Sequence, residues 1–440
     1  MERGREMSES PMKDSGIDWI GQVPEGWEVR RFPQEFSMFK GLPITKADLV
    51  ETGVAVISYG QIHAKNNPSI TLLPELLRYV PQTVADANPT ARLRFGDVVF
   101  ADTSEDIEGC GNCVLIDTDH VVFAGYHDVV ARPRHPDAAK YYAYLFNSSR
   151  WRSQVRTKVA GIKVFSMTQK IFKGINILFP PLPVQRKIVA YLDEKTVAID
   201  ARVAVLEKKL AAYKRLKASV INRAVTRGLD PKAKLKDSGV DWIGKVPVGW
   251  EVKRFKDIAT IKANLVAPDG YMDYPQIAPE NIEKGTGKLL AYGTVSESGI
   301  ISGNHLFKRG QIIYSKIRPI LNKLVVADFD GLCSADMYPI DVLGNLRFVF
   351  YQMLSPLFVN QVAAIVGMRV KMPKINQEEL SAIGMVIPPL PEQRAIADYL
   401  DAECAKIDKM AELVTREIEL YKKLKRSLIN EVVTGKREVA

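Results

Sequence analysis

Two stretches of this chain are written twice, and that constrains the fold more than any other feature of the sequence. Residues 13–32 read KDSGIDWIGQVPEGWEVRRF and residues 236–255 read KDSGVDWIGKVPVGWEVKRF, with 16 of 20 positions identical at an offset of 223. Residues 180–226, PPLPVQRKIVAYLDEKTVAIDARVAVLEKKLAAYKRLKASVINRAVT, return at 388–434 as PPLPEQRAIADYLDAECAKIDKMAELVTREIELYKKLKRSLINEVVT, with 21 of 47 positions matching without a gap at an offset of 208. The intervening stretches show no continuous match of that quality, and the first is longer by 15 residues (223 − 208). Such repetition calls for two structurally related halves, each a short constant phrase, a variable module and a constant rod.

The expected segments are a tail and first phrase at 1–32, a first module at 33–179, a first long helix and spacer at 180–235, a second phrase at 236–255, a second module at 256–387 and a second long helix at 388–440. The rods read as helices because apolar residues recur every seven positions: Leu192, Ile199, Leu206, Tyr213 and Val220, then Leu400, Ile407, Val414, Tyr421 and Leu428. Lysine interrupts the interleaved set at Lys217 and Lys425. Leu216 and Leu424, one step earlier, suggest a seam that drifts with a 3.6-residue period. The Pro-Pro-x-Pro before each rod starts the helix sharply.

A solvated single helix of about 42 residues, some 60 Å long at 1.5 Å per residue, is implausible, so the two rods pack together. Each rod leaves one module and heads for the other, which makes the pair antiparallel and sets the first phrase beside the end of the second rod. The fold class is α+β: two mixed α/β modules joined by two long helices that form an antiparallel coiled coil, in a pseudo-twofold, circular arrangement. Trp19, Trp27, Trp242 and Trp250 of the phrases are expected to pack as small satellite cores, with Pro24–Gly26 and Pro247–Gly249 as turns.

At 440 residues, 46% hydrophobic and 25% charged, the chain has the composition of a soluble globular protein of two or more domains. No run approaches 18 consecutive apolar residues and the N-terminus lacks an apolar core, so neither a membrane partner nor secretion is expected, and four cysteines are too few for a disulfide framework. The expected compartment is the cytoplasm. The net charge of +10 favours an anionic partner. Residues 184–227 hold 11 Lys/Arg against 4 Asp/Glu, a net of +7, whereas residues 392–437 hold 10 against 9, a net of +1.

Catalytic constellations are absent from the sequence. KGTGKLL at 284–290 fails as a phosphate loop because Ile282 stands where the first glycine is required. There is no Asn/Asp-Pro-Pro-aromatic motif, and Glu207-x-Lys209 lies inside a heptad helix, where a solvated face is expected. Cys110 and Cys113 have metal-ligand spacing, which His120 and His127 could complete on paper, but no second pair stands beside them, so they read as structural thiols with no metal site.

What the modules carry instead is positive charge in runs without Asp or Glu. These runs supply Arg150, Arg152, Arg156, Lys158 and Lys163 in the first module, and Lys308, Arg309, Lys316, Arg318, Lys323, Arg369, Lys371 and Lys374 in the second. Lysine and arginine displace counterions from phosphates, and arginine reads guanine in a bidentate fashion, so these residues are candidate contacts to double-stranded DNA.

The doubled DSG-[IV]-DWIG-x-VP-x-GWEV phrase, the doubled PPLP-x-QR-x-I-x-x-YLD helix entry and the GMRVKMPKIN stretch before the second entry resemble the specificity subunits of type I restriction–modification enzymes over nearly the whole chain. The first half departs from the last pattern, reading GIKVFSMTQKIF. The resemblance implies two target-recognition domains, each reading one half of a split, asymmetric DNA sequence, with the paired helices fixing the unread gap. It further implies two methyltransferase (modification) subunits and restriction/translocase subunits as partners. S-adenosylmethionine, ATP and Mg would then be cofactors of those partners and none would belong to this chain, which would be non-catalytic. Two other readings compete: a coiled-coil protein-interaction scaffold without DNA sequence specificity, and a nuclease with an unrecognised site.

Overall fold

The computed structural model describes residues 11–64, 70–159, 164–369 and 371–439. The chain divides into two compact units, residues 1–207 with 416–440 and residues 208–415, and the division falls within both long helices. No single helix among the described residues is long and apolar enough to cross a membrane.

Unit 1 is built on two sheets. A four-stranded antiparallel sheet runs Phe36–Lys40, Asp128–Pro133, Val98–Ala101, Cys113–Leu115. A three-stranded sheet runs Val122–Ala124, Val54–Ile57, Arg78–Val80, the first pair parallel. Helices Ala139–Phe146 and Ser149–Arg156 cover the larger sheet. Between them lies an aromatic core of Phe32, Phe36, Phe100, Phe146, Trp151 and Phe172, all essentially without solvent exposure.

Unit 2 repeats the plan. Its four-stranded sheet runs Ala259–Ile261, Met337–Val342, Ile312–Ser315, Leu324–Val326, its second sheet has five strands, and helices Leu346–Leu354 and Pro356–Val366 stand where the first unit has its pair.

The repeated phrase closes each module on itself. Its first half is a hairpin, Met12–Asp14 with Gln22–Pro24 and Leu235–Asp237 with Lys245–Pro247. Its second half is a strand paired antiparallel with the segment that leads into the rod: Glu28–Arg31 with Asn176–Phe179, and Glu251–Arg254 with Gly384–Ile387. In unit 1 the phrase lies against the end of the second rod, as expected from the symmetry of the sequence: a Cβ on Gly435 would fall 2.4 Å from Pro24 and 3.3 Å from the Trp27 ring. In unit 2, Trp250 stands by Gly228 at the end of the first rod and donates its indole N–H to Glu392 at 2.9 Å. The tryptophans do not all pack alike, however. Trp27 and Trp250 are buried and Trp19 is half-buried, whereas Trp242 is 52% exposed, with its ring edge lying over Gly384.

The rods are the helices Leu182–Arg227 and Leu390–Val433. Within unit 1, Asp200 meets Lys425 and Glu207 meets Lys422; within unit 2, Lys217 meets Asp408 while Gly228 lies by Glu392, so the pairing in each unit is antiparallel. Leu192, Ile199, Leu206, Leu400, Ile407, Val414 and Leu428 are buried and Tyr213, Val220 and Tyr421 half-buried.

The expected drift of the seam does not occur. Leu216 and Leu424 point to solvent, and Lys217 and Lys425 occupy the interleaved seam positions with side chains only 16% and 19% exposed. Each lysine reaches both carboxylate oxygens of an aspartate on the facing helix, Asp408 at 2.8 and 2.9 Å and Asp200 at 2.7 and 2.8 Å. A lysine stem can lie along an apolar groove while its ammonium finds a charge partner, so the strict heptad survives a polar residue in the seam.

Candidate nucleic-acid interface

Each module hangs from its rod by a set of bonds repeated in both units, and these bonds give the repeated YLD motif its role. Asp193 accepts from Tyr144 and from Lys140, both at 2.7 Å. Asp401 accepts from Tyr351 at 2.7 Å and pairs with Arg347, which also reaches Asp398 at 2.6 Å. Gln154 brackets Asn176, donating to its carbonyl and accepting from its N–H, and Gln361 brackets Gly384 in the same way. The glutamine of each PPLP-x-QR entry, Gln185 or Gln393, donates to the carbonyl of the first proline of its motif, Pro180 or Pro388. Charged and hydroxyl groups that satisfy one another at partly buried positions fix orientation as well as energy.

On this shared frame the two units present different loops at one equivalent place, where the segment leaving a central strand pairs with the segment following the second module helix. In unit 1, Thr103–Ser104 pairs with Phe165–Ser166, and the leaving segment carries Asp102, Glu105, Asp106 and Glu108. In unit 2, Ile317 bridges to Lys374, the Arg318 N–H donates to the Pro373 carbonyl at 2.8 Å, and the Ile375 N–H donates to the Lys316 carbonyl at 2.9 Å. The two unit 2 segments, 316–323 and 367–375, together hold six cations (Lys316, Arg318, Lys323, Arg369, Lys371 and Lys374) and no acid.

The fates of the candidate cations differ. In unit 1, Arg152 is internal: its guanidinium donates to the Phe146 carbonyl, Asn112 Oδ1 and Asn147 Oδ1 at 3.1, 2.6 and 2.5 Å, and burial pulls its pKa below the usual guanidinium value. Arg156 is paired with Glu108 at 2.9 Å. Arg150 and Lys158 are exposed. Lys163 lies outside the described residues.

In unit 2, Lys308 pairs with Asp330 at 2.9 Å, Lys374 with Asp336 at 3.1 Å and Arg369 with Glu379. Lys323 donates to the Pro279 carbonyl at 2.7 Å, and Lys316 lies over the Tyr338 ring at 5.3 Å. Arg309, Arg318 and Lys371 are exposed and their side chains make no ion pair among the described residues, although the Arg309 backbone N–H donates to Asp330 at 2.8 Å. The structure thus gathers Lys316, Arg318, Lys323, Arg369, Lys371 and Lys374 into one cluster and leaves Lys308 and Arg309 on a separate turn.

Attention to cations alone passes over three apolar residues among them: Met368 is 93% exposed, Met372 54% and Ile320 47%. The signal was present in GMRVKMPK, where two methionines stand between the basic residues. Cys110 and Cys113 are both buried free thiols, and burial pushes Cys113 up to about 12, which disfavours the thiolate that a metal would need.

A basic, loop-built patch on a mixed α/β module is the arrangement expected of a domain that contacts DNA. Residues 247–419 match the family described as type I restriction modification DNA specificity domain. The chain is 33% identical over 276 residues to the type I restriction enzyme EcoDI specificity subunit of Escherichia coli, an alignment covering 59% of this chain and 62% of that one. It is 25% identical over 320 residues to the type I restriction enzyme MjaVIII specificity subunit of Methanocaldococcus jannaschii, covering 67% of this chain and 70% of that one. A solved chain from a study of complex assembly and conformational transition of the type I R-M system shares the fold, with a TM-score of 0.67 at 16% identity over 94% of this chain and 99% of that one. Residues 247–419 thus carry a type I restriction modification DNA specificity domain, and the chain as a whole is similar to specificity subunits of type I restriction enzymes. It spans less than two thirds of the length of the EcoDI subunit that it matches.

Proposed function

We propose that this chain reads an asymmetric bipartite sequence in duplex DNA, one half-site for each module, and that its paired helices set the unread gap between them. The observation that carries this reading is the pairing of sameness and difference in the two units: Asp193 and Asp401, Gln154 and Gln361, and Gln185 and Gln393 hold like frames, whereas the equivalent leaving segments carry four acids in one unit and three cations in the other. Like frames with unlike reading loops suit two half-sites of different sequence.

The rods support a second role as a scaffold for two methyltransferase subunits, to which restriction and translocase subunits are added. Exposed aliphatic residues recur at equivalent rod positions, Val205 with Leu413 and Leu216 with Leu424, so unit 1 offers Val205 and Leu424 and unit 2 offers Leu413 and Leu216, each from its two helical segments. S-adenosylmethionine, ATP and Mg act in those partners, and this chain is non-catalytic.

The test is to purify the chain with the subunits that accompany it in its own cell and select bound duplexes from a random pool. Two short blocks at a constant separation, with two methyltransferase copies per chain, are expected. Enrichment of no sequence despite bound partners sinks the reading in favour of a protein scaffold. Deleting one heptad from both rods should change the separation and leave the block letters alone.

A further inference from the structure

Three of the four non-glycine residues that adopt a left-handed backbone among the described residues stand in the basic cluster of unit 2: Arg318 at φ 43°, Asn322 at 45° and Met372 at 38°. Residues other than glycine hold this conformation only where the surroundings impose it, and such positions concentrate at functional sites. Here the surroundings are the bonds that tie the two loops together, through Ile317 to Lys374 and Arg318 to Pro373, and the packing of Pro319–Leu321 on helix Pro356–Val366. On this support Met372 and Ile320 stand exposed, and Met368 is exposed four residues before Met372.

A single exposed apolar side chain needs no explanation. Three of them on two bonded loops, ringed by cations, are a different matter. Segments 316–323 and 367–375 hold six cations, and the two carboxylates that reach them, Asp336 and Glu379, leave a net of +4 (6 − 2). A protein partner that covers an apolar patch gains from matching charge at the rim, and such a rim asks for an acidic surface. The polymer that combines a dense negative rim with an apolar interior open at its stacked steps is duplex DNA.

We propose that Met368 and Met372, with Ile320 on the facing loop, form an apolar wedge that enters between two base pairs of the unit 2 half-site and kinks the duplex, while Arg318 and Lys371 hold the flanking phosphates. This inference rests on the reading that unit 2 binds duplex DNA. A long, unbranched thioether side chain can slide between bases and unstack them, and a kink adds discrimination at steps that no hydrogen bond reads. The cationic rim around this patch belongs to unit 2, because the unit 1 counterpart of segment 316–323 carries Asp102, Glu105, Asp106 and Glu108.

The test uses the assembled complex and its selected duplex, with 2-aminopurine placed in turn at each position of the two half-sites. A rise in fluorescence at one step of one half-site is expected, with shortened end-to-end transfer between dyes on the duplex. The double variant Met368→Ala/Met372→Ala should lose both signals and bind that half-site about tenfold more weakly. It should keep its affinity for the other half-site and its thermal unfolding profile. A second readout needs no variant: the selected duplex should slow the oxidation of Met368 by hydrogen peroxide, followed by peptide mass.

A complex that selects no duplex removes the DNA reading itself. A complex that selects its duplex while 2-aminopurine stays dark at every step, or whose double variant bends and binds as before, overturns the wedge alone. Protection of Met368 by the methyltransferase subunits in the absence of DNA also overturns it, because the patch would then be a protein contact.

Discussion

The two units are the same device with different working ends. Both hang a four-stranded sheet and a helix pair from a rod through an aspartate that takes a tyrosine hydroxyl and a cation, Asp193 with Tyr144 and Lys140, and Asp401 with Tyr351 and Arg347. They part at the loops. Unit 1 engages Arg152 with backbone and amide oxygens and Arg156 with the exposed Glu108, leaving Arg150 and Lys158 exposed on a single segment, whereas unit 2 leaves Arg318 and Lys371 exposed on two segments bonded to each other. The difference teaches that a basic run in sequence is not yet a binding surface. A frame can be inherited twice unchanged while the loops on it exchange sign.

The comparison can be broken first at its joints. Trp250→Ala removes a fully buried ring and should destabilise unit 2 by about 3–5 kcal/mol, with Trp27→Ala doing the same in unit 1. Calorimetry that resolves two transitions checks it, and an effect confined to one of the two variants would show that the joints are not equivalent. Next, Arg152→Ala leaves Asn112 and Asn147 without their donor and should cost about 1–3 kcal/mol of unit 1 stability, with no change in the salt slope of DNA binding.

Arg318→Ala should do the opposite: stability is unchanged, affinity for one half-site falls by about tenfold, the salt slope falls by about one, and the other half-site is read as before. Equal loss on both half-sites would end the claim that the units read separately. The smallest effect belongs to the seam. Replacing Lys217 and Lys425 together with their partners Asp408 and Asp200 by leucine should leave the melting temperature unchanged or higher, because a paired buried charge rarely outperforms good apolar packing. A clear fall would mean that the two ion pairs contribute net stability.

Much of this architecture was legible before any coordinates. The heptads gave the rods, because side chains every seven residues line one face of a helix, and Leu192, Ile199, Leu206, Leu400, Ile407, Val414 and Leu428 are buried where that periodicity places them. The phrase was legible as a joint because a repeat at both ends of a rod has to meet the same neighbours twice. Periodicity registers the polarity of Lys217 and Lys425 but not the aspartate on the facing helix that satisfies each of them. The size and apolarity of tryptophan predict a buried Trp242, yet only its ring edge lies over Gly384 and the residue is 52% exposed.

The sequence by itself determined that there are two like halves, that two long helices pair through a heptad seam, and that the modules between them differ. These are properties of covalent repetition and local period, which a chain carries wherever it folds. Only the tertiary structure decided which cations stay unpaired. Glu108 reaches Arg156 across 48 residues, Asp330 reaches Lys308 across 22 and Asp336 reaches Lys374 across 38. A charge partner is chosen by distance in space, and neither composition nor spacing along the chain records it. The same holds for Met372, which stands exposed beside the bonds that Arg318 and Ile375 make between two segments distant in sequence.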